Sequence, residues 1–207
     1  DGTVNDSMKH TYCQAFFIYA MSSYYDASKD KAALELALDV FATVEEKCRD
    51  DVAYLEAFSK DWSLIPNDAL SENGLMADKT MNTTLHVMEA YTELYRVSND
   101  KRVLKALRFT LEITLDKIYD KNGGKLFVFF DKNLNEIGDI YSYGHDIEAT
   151  WLIDRACDVI GDEHLSKRCA EMNKVIVKNI ADRALSNGRL NNEVEHGVVN
   201  TWHIWWV

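Results

Sequence analysis

Apolar residues recur every three or four positions through most of the chain, and the only proline is Pro66. This spacing places apolar side chains on one face of an α-helix, and a helix is rarely interrupted where proline is absent. The pattern predicts six helices in three pairs, with a short turn inside each pair. The predicted pairs cover about residues 9–27 with 30–48, 80–97 with 100–119, and 144–160 with 163–182.

The three short turns share an aspartate, at Asp30, Asp100 and Asp162, so one unit recurs after 70 and then 62 residues. Each unit is a helical hairpin with a tight turn at one end. Hairpins of this kind either stack into an open solenoid or close into a ring. In the closed case, three hairpins and the start of a fourth make about half of an all-α (α/α)6 toroid. The long connections then share one rim: residues 50–79, 120–143 and 183–199.

The second long connection has an apolar run, 125–130, a polar triplet, 131–133, and a second run, 134–140. This order predicts a short β-hairpin set into the rim. Long structured loops that gather on one side of a fold usually build a site. We therefore expect the functional site at this rim.

The charge and the apolar pattern of the chain argue against two classes of partner, nucleic acids and membranes. Its 207 residues are 47% hydrophobic and 28% charged, with a net charge of -11, and no basic run interleaved with aromatic residues is present. Such a surface repels a phosphate backbone, so we expect no nucleic-acid partner. No apolar run reaches the roughly 20 residues that span a bilayer, so we expect no membrane partner.

Cys13, Cys48, Cys157 and Cys169 form no CxxC pair and lie inside helical apolar patterns. Isolated cysteines of this kind are typical of reduced thiols in a cytoplasmic protein. The chain starts without methionine and stops in an aromatic-rich run, 202–207, that carries no helix stop signal. We expect one domain over residues 1–207 that is truncated at both ends.

His86 lies in the first helix of the second hairpin, close after a rim connection. Asn82, His86, Glu89 and Glu93 follow helical spacing and form one polar stripe. Such a stripe is often only the solvated face of a helix. His86 alone therefore does not establish a site.

The third hairpin repeats the arrangement, because His145 lies at the start of its first helix and Glu148 follows one turn later. A carboxylate beside an imidazole fixes its tautomer and supports its charged form, and an imidazole can take and return a proton near neutral pH. The sequence has no HExxH, GxGxxG, GxxxxGK[ST] or GxSxG motif. We therefore expect acid/base chemistry without a metal or a cofactor.

The end of the chain adds Trp202, Trp205 and Trp206, and Trp62 lies in the first rim connection. Tryptophans are often core residues. At the mouth of a helical ring, however, an indole face is a surface on which the apolar side of a sugar ring stacks. The aromatic run therefore favours a carbohydrate ligand.

Three strings taken together, 81–91, 144–152 and 205–207, resemble the N-acylglucosamine 2-epimerase superfamily, most closely its cellobiose 2-epimerase branch. The resemblance covers essentially the whole chain. It implies an (α/α)6 barrel that inverts C2 of the reducing-end glucose in a β-1,4-linked disaccharide, without metal or nucleotide. In that reaction the sugar ring opens, one histidine removes the C2 proton, a cis-enediolate forms, and a second histidine returns a proton on the opposite face.

The resemblance also implies roles for individual residues. His145 is one acid/base residue and Glu148 its supporting carboxylate, while His86 contacts the sugar oxygens O1 and O2 together with Asn82. The second acid/base histidine and an arginine of the site belong to regions outside this chain. We therefore expect the chain by itself to aggregate and to be inactive.

The remaining implied positions bind substrate. Trp205 and Trp206 match an aromatic pair that packs against the sugar, and Asp78 is a rim carboxylate near the same pocket. Four alternatives stay open: an N-acylglucosamine 2-epimerase, a mannose isomerase, a glycoside hydrolase on the same toroid, and a helical-repeat binding scaffold. A hydrolase would need two carboxylates flanking the glycosidic bond, and a scaffold would use the rim as a docking surface.

Overall fold

The computed structural model describes residues 3–4, 6–67, 74–186 and 188–201. Six α-helices follow in order: α1 Thr11–Ser28, α2 Lys31–Lys47, α3 Met81–Ser98, α4 Lys101–Ile113, α5 Tyr143–Ile160 and α6 Glu163–Arg183. The six predicted helices are confirmed. The fourth ends earlier than expected, because the chain widens into a π-helical turn at Thr114–Ile118. In this segment the Thr114 hydroxyl bonds the carbonyl of Thr110, which competes with regular helical bonding.

The three hairpin turns are built alike. Each has one residue in the left-handed conformation, followed by an aspartate whose side chain accepts a backbone N–H of the next helix. The pairs are Lys29-Asp30, Asn99-Asp100 and Gly161-Asp162. A left-handed residue ends a helix, and an aspartate cap satisfies backbone donors at the start of the next. The repeated aspartates therefore mark the turns because they cap α2, α4 and α6.

The hairpins stand side by side in two layers. Helices α1, α3 and α5 contact one another in sequence, and each packs against the second helix of its own hairpin. The core lies between the layers and includes Phe41 and Leu107 from outer helices and Met88 and Ile153 from inner ones. In α4, Val103, Ala106, Leu107, Thr110 and Leu111 are buried, which is the helical spacing that the sequence shows.

The long connections meet at one end of the helices. The described residues form these short strands there: β1 Lys9–His10, β2 Ala57–Phe58, β3 Lys79–Thr80, β4 Tyr119–Asp120, β5 Lys125–Leu126, β6 Phe129–Phe130, β7 Ile140–Ser142, β8 Leu185–Ser186, β9 Arg189–Leu190, β10 Glu193–Glu195 and β11 Val198–Asn200. Strand β3 pairs with β6, and β7 pairs with β10, both antiparallel. Each of these pairs joins two different connections, so the connections form one continuous rim.

The predicted β-hairpin in the second connection is present in a shorter form. Phe130 bridges to Glu136 around a turn in which the Asp131 side chain accepts the backbone N–H groups of Asn133 and Asn135. Strand β5 instead turns back onto β4. The turn between them needs Gly124, whose φ is +63° and whose Cβ would come within 2.4 Å of a side-chain nitrogen on α6.

The buried ammonium of Lys79 joins the two ends of the first connection to each other and to the second connection. Lys79 is fully buried, and its Nζ lies 2.6 Å from Asp50 Oδ2 and also donates to the carbonyl of Lys132. Asp50 in turn accepts the backbone N–H groups of Val52 and Ala53. A buried ammonium is stable only when it is paired and hydrogen-bonded, and these contacts meet that need.

Candidate active site

The polar stripe on α3 faces into the protein. The side chains of His86, Glu89 and Glu93 are 11%, 16% and 10% exposed. The alternative of a solvated helix face is therefore wrong for this stripe. Glu93, at the far end, is occupied by an ion pair with Arg96 and a longer one with Arg155.

His86 and Glu89 form a histidine–carboxylate pair. The distance from His86 Nδ1 to Glu89 Oε2 is 2.9 Å. An ionised carboxylate can only accept a hydrogen bond, so this contact places a proton on Nδ1 and supports the charged imidazolium. Two rings of α1 pack on the same imidazole, with centroid distances of 5.3 Å for Tyr12 and 4.8 Å for Phe16.

Glu148 of α5 lies within electrostatic range of the same pair. Burial raises the pKa of its carboxyl, the charge of His86 lowers it, and that of Glu89 raises it. The pKa of the Tyr12 hydroxyl is raised by burial and also by the charges of Cys13, Glu148 and Glu89. Side chains from α1, α3 and α5 therefore share one electrostatic environment.

His145 belongs to this environment but has a different partner on its ring. Its Nδ1 lies 2.8 Å from the hydroxyl of Ser142, the residue that caps α5. Burial lowers the pKa of His145 to about 4, and the nearby charge of His86 contributes. At neutral pH the imidazole is therefore uncharged, which is the form that can accept a proton.

The first turn of α5 is fixed from two directions. An oxygen of the buried Asp146 carboxyl group accepts the Leu126 N–H at 3.2 Å, and burial holds the pKa of this group well above its usual range. On the other side, the Tyr143 N–H donates to the Asn192 carbonyl at 3.0 Å. The rim therefore holds the backbone that carries His145.

The other predicted positions are distributed along the rim. Asn82 begins the stripe on α3, and its Oδ1 is buried without a hydrogen-bond partner among the described residues. Asp78 lies on a rim cavity of about 280 Å³, which Pro66, Asn67 and Met76 also line. Trp205 and Trp206 lie outside the described residues.

The family model for N-acylglucosamine 2-epimerase matches residues 1–188 of this chain. The chain belongs to the N-acylglucosamine 2-epimerase family. It is 53% identical over 207 residues to a cellobiose 2-epimerase of Ruminococcus albus, a match that covers all of this chain and 53% of that protein. The chain spans about half the length of the curated relatives that it matches.

Solved structures give the same assignment. The crystal structure of a sugar epimerase from a ruminal bacterium superposes with a TM-score of 0.97 at 53% identity, over 99% of this chain and 53% of that one. The cellobiose 2-epimerase of Bacillus thermoamylovorans superposes with a TM-score of 0.90 at 39% identity, over 97% and 52%. The predicted fold class, a partial (α/α)6 toroid, is confirmed for this member of the N-acylglucosamine 2-epimerase family.

The sequence did not predict a role for three residues of the candidate site: Glu89, Ser142 and Tyr12. Glu89 was visible in the polar stripe, but the prediction gave the histidine–carboxylate pair to His145 and Glu148. Ser142 stands three residues before His145, which is the spacing of a helix cap. Tyr12 offered no signal, because it comes from a different hairpin.

Among the described residues, no group of three or more His, Cys, Asp or Glu side chains could hold a metal ion. Over the same described ranges, none of the helices has the length and apolar character needed to cross a membrane.

A buried carboxyl group in the first rim connection hydrogen-bonds to helix α3. Glu56 is 1% exposed, and its Oε2 accepts the hydroxyl proton of Thr83 at 2.7 Å, while its Oε1 has no partner among the described residues. Burial raises the pKa of Glu56 from 4.5 to about 7. The folded state therefore binds this proton more tightly than the unfolded state does.

We expect the Glu56→Gln variant to gain stability over the unmodified protein as pH rises. The favourable contribution of protonated Glu56 is complete below its ordinary pKa of 4.5 and is lost as pH rises through about 7. The pKa difference corresponds to about 3 kcal/mol in the free energy of unfolding. Urea unfolding of the complete protein at about pH 5 and pH 8 measures it. The exposed Glu112→Gln is the control, and a pH-independent difference for Glu56→Gln would contradict the prediction.

Proposed function

We propose that the complete protein inverts C2 of the reducing-end glucose of a β-1,4-linked disaccharide, converting cellobiose to glucosylmannose and lactose to epilactose. The observation that carries this proposal is that His145, held by Ser142, shares one electrostatic environment with the hydrogen-bonded His86–Glu89 pair, in a chain that belongs to an epimerase family. The relatives named cellobiose 2-epimerase favour a disaccharide over a monosaccharide.

The proton chemistry begins with opening of the sugar ring, which places an aldehyde at C1 and makes the C2 proton acidic. His145 takes this proton as a neutral imidazole and becomes an imidazolium. A cis-enediolate remains, and a proton returned to the opposite face of C2 gives the mannose epimer. We assign that second proton transfer to a histidine in the part of the protein beyond this chain.

The enediolate needs positive charge or hydrogen-bond donors close to O1 and O2. We assign this role to His86, whose charged form Glu89 supports, and to the amide of Asn82 on the same face of α3. Donors placed in advance where charge develops stabilise it without reorganisation. The same positive charge helps to keep His145 deprotonated before the reaction.

Glu148 is proposed as the carboxylate that stabilises the imidazolium form of His145 once the proton has moved. Trp205 and Trp206 are proposed to pack against the sugar, and Asp78 to bind it from the rim. The chain is proposed to be one partial barrel domain that needs the remainder of its ring for turnover. A cytoplasmic location stays a prediction from the cysteine pattern.

The proposal is tested by incubating the complete protein with cellobiose in D2O and following the sugar by NMR. We expect a mannose reducing end that carries deuterium at C2, because the second histidine delivers a proton from its own exchangeable N–H, which is deuterated in D2O. Heat-denatured protein under the same conditions is the control for spontaneous epimerisation.

The same experiment separates the alternatives. Release of glucose would support the hydrolase, and conversion of mannose or N-acetylglucosamine alone would support another member of the family. Every tested sugar left unchanged would support the binding scaffold. Each of these results would overturn the proposal that the protein is a disaccharide epimerase.

A further inference from the structure

Ser142 contacts His145 twice with one hydroxyl group. Its Oγ lies 2.8 Å from the ring nitrogen Nδ1 and 3.5 Å from the backbone nitrogen of the same residue. The side chain is buried at 3% exposure. The hydroxyl that caps α5 therefore also touches the imidazole.

The position of this hydroxyl is set by the rim. Ser142 ends strand β7, where it pairs with Glu193 of β10. The next two backbone N–H groups, of Tyr143 and Gly144, both point to the Asn192 carbonyl at 3.0 and 3.3 Å. Three consecutive residues are thus anchored on the third rim connection, which leaves Oγ little freedom to move away from the ring.

The chemistry of proton transfer restricts which way this hydrogen bond can run. A ring that takes a proton on Nε2 and gives it back keeps its Nδ1 proton throughout, because neutral imidazole has one N–H. Nδ1 must then donate, and its partner must accept. A serine hydroxyl has two acceptor sites, which match the two N–H groups that His145 presents.

Resting on the proposed function, we propose that Ser142 is a positioning residue that accepts the Nδ1–H of His145 and thereby reserves Nε2 for proton transfer at C2. The two histidines of the site then differ in their partners. The ring of His86 contacts the carboxylate of Glu89, whereas the ring of His145 contacts a neutral hydroxyl that tolerates both charge states. That division suits one stabilising cation and one base.

Ser142→Ala, Ser142→Thr and Asp30→Ala in the complete protein test the assignment. Threonine keeps the hydroxyl and is already the cap of α3, where Thr80 accepts the Thr83 N–H at 3.0 Å. Asp30→Ala removes the cap of α2 at the opposite end of the hairpins, so it matches the loss of a cap without touching His145.

The first readout is the tautomer of His145, followed by ¹⁵N NMR of histidine-labelled protein and assigned by comparison with His145→Gln. We expect a protonated Nδ1 in the unmodified protein, in Ser142→Thr and in Asp30→Ala, and a loss of that single tautomer in Ser142→Ala. A tautomer that is unchanged in Ser142→Ala, or that has Nε2 protonated in the unmodified protein, would overturn the assignment.

The second readout is kinetic. We expect Ser142→Ala to lower kcat by roughly 10- to 100-fold with little change in KM, as loss of an outer hydrogen-bond partner commonly does, and Ser142→Thr to restore most of it. An equal loss in Asp30→Ala would mean that only helix capping matters. The tautomer is measured without turnover. An inactive protein would therefore refute the proposed epimerase activity, while the NMR result would still decide the role of Ser142.

Discussion

Replacing His145 with alanine in the complete protein is expected to lower the rate of C2 epimerisation by at least about 100-fold while the fold is retained. The reason is that the partly buried, uncharged imidazole is the only proton acceptor that we assign to this face of the substrate. The residue is only partly covered, so its removal is expected to cost less stability than the loss of a fully buried core side chain. Deuterium incorporation at C2 of cellobiose measures the rate, and circular dichroism with thermal unfolding measures the fold.

The matched control for this prediction is His164→Ala. His164 lies in the first turn of the outer helix α6 and is exposed, so its loss should leave both rate and stability unchanged. Epimerisation retained in His145→Ala would remove this residue from the mechanism. A loss of activity accompanied by unfolding would contradict the claim that the residue serves the site alone.

Replacing Asp50 with alanine is expected to destabilise the protein by about 3 kcal/mol. The change leaves the fully buried ammonium of Lys79 without its carboxylate and also removes the acceptor for two backbone N–H groups. The midpoint and slope of urea unfolding measure this effect.

A double-mutant cycle separates the ion pair from the lost turn. We expect Lys79→Met to cost less than Asp50→Ala, because an apolar side chain of similar length needs no counter-charge. Adding Lys79→Met to Asp50→Ala should recover part of the loss. Asp182→Ala, which breaks an exposed pair with Lys178, should cause no measurable change. Additive single and double variants would show that the two side chains are not coupled.

The hairpins were predictable because their signals are local. A helix shows its buried face in the spacing of apolar residues, and each turn carries an aspartate that caps the helix that follows. The strand pairs of the rim were less predictable. Strand β3 pairs with β6 and β7 with β10 across different connections, and a strand of two or three residues carries too little sequence to specify its partner.

The candidate site was likewise only partly predictable from the sequence. Its histidines could be found because they begin inner helices close to the rim, but their partners could not be assigned from spacing. The predicted pairing joined His145 to Glu148, whereas the carboxylate hydrogen bond that the structure describes joins His86 to Glu89. Both pairs have the same spacing along a helix, so the choice depends on side-chain rotamers and on what the neighbouring helices contribute.

What the sequence determined by itself is therefore the set of helices, their turns, the side on which the long connections lie and the two histidines near that side. These features depend on interactions between residues a few positions apart. The tertiary structure decided that the α3 stripe is largely covered, that Tyr12 of α1 packs against it, and that burial and His86 lower the pKa of His145 to about 4. Burial and charge at one atom are sums over groups from several helices, and only the packing of those helices brings the groups together.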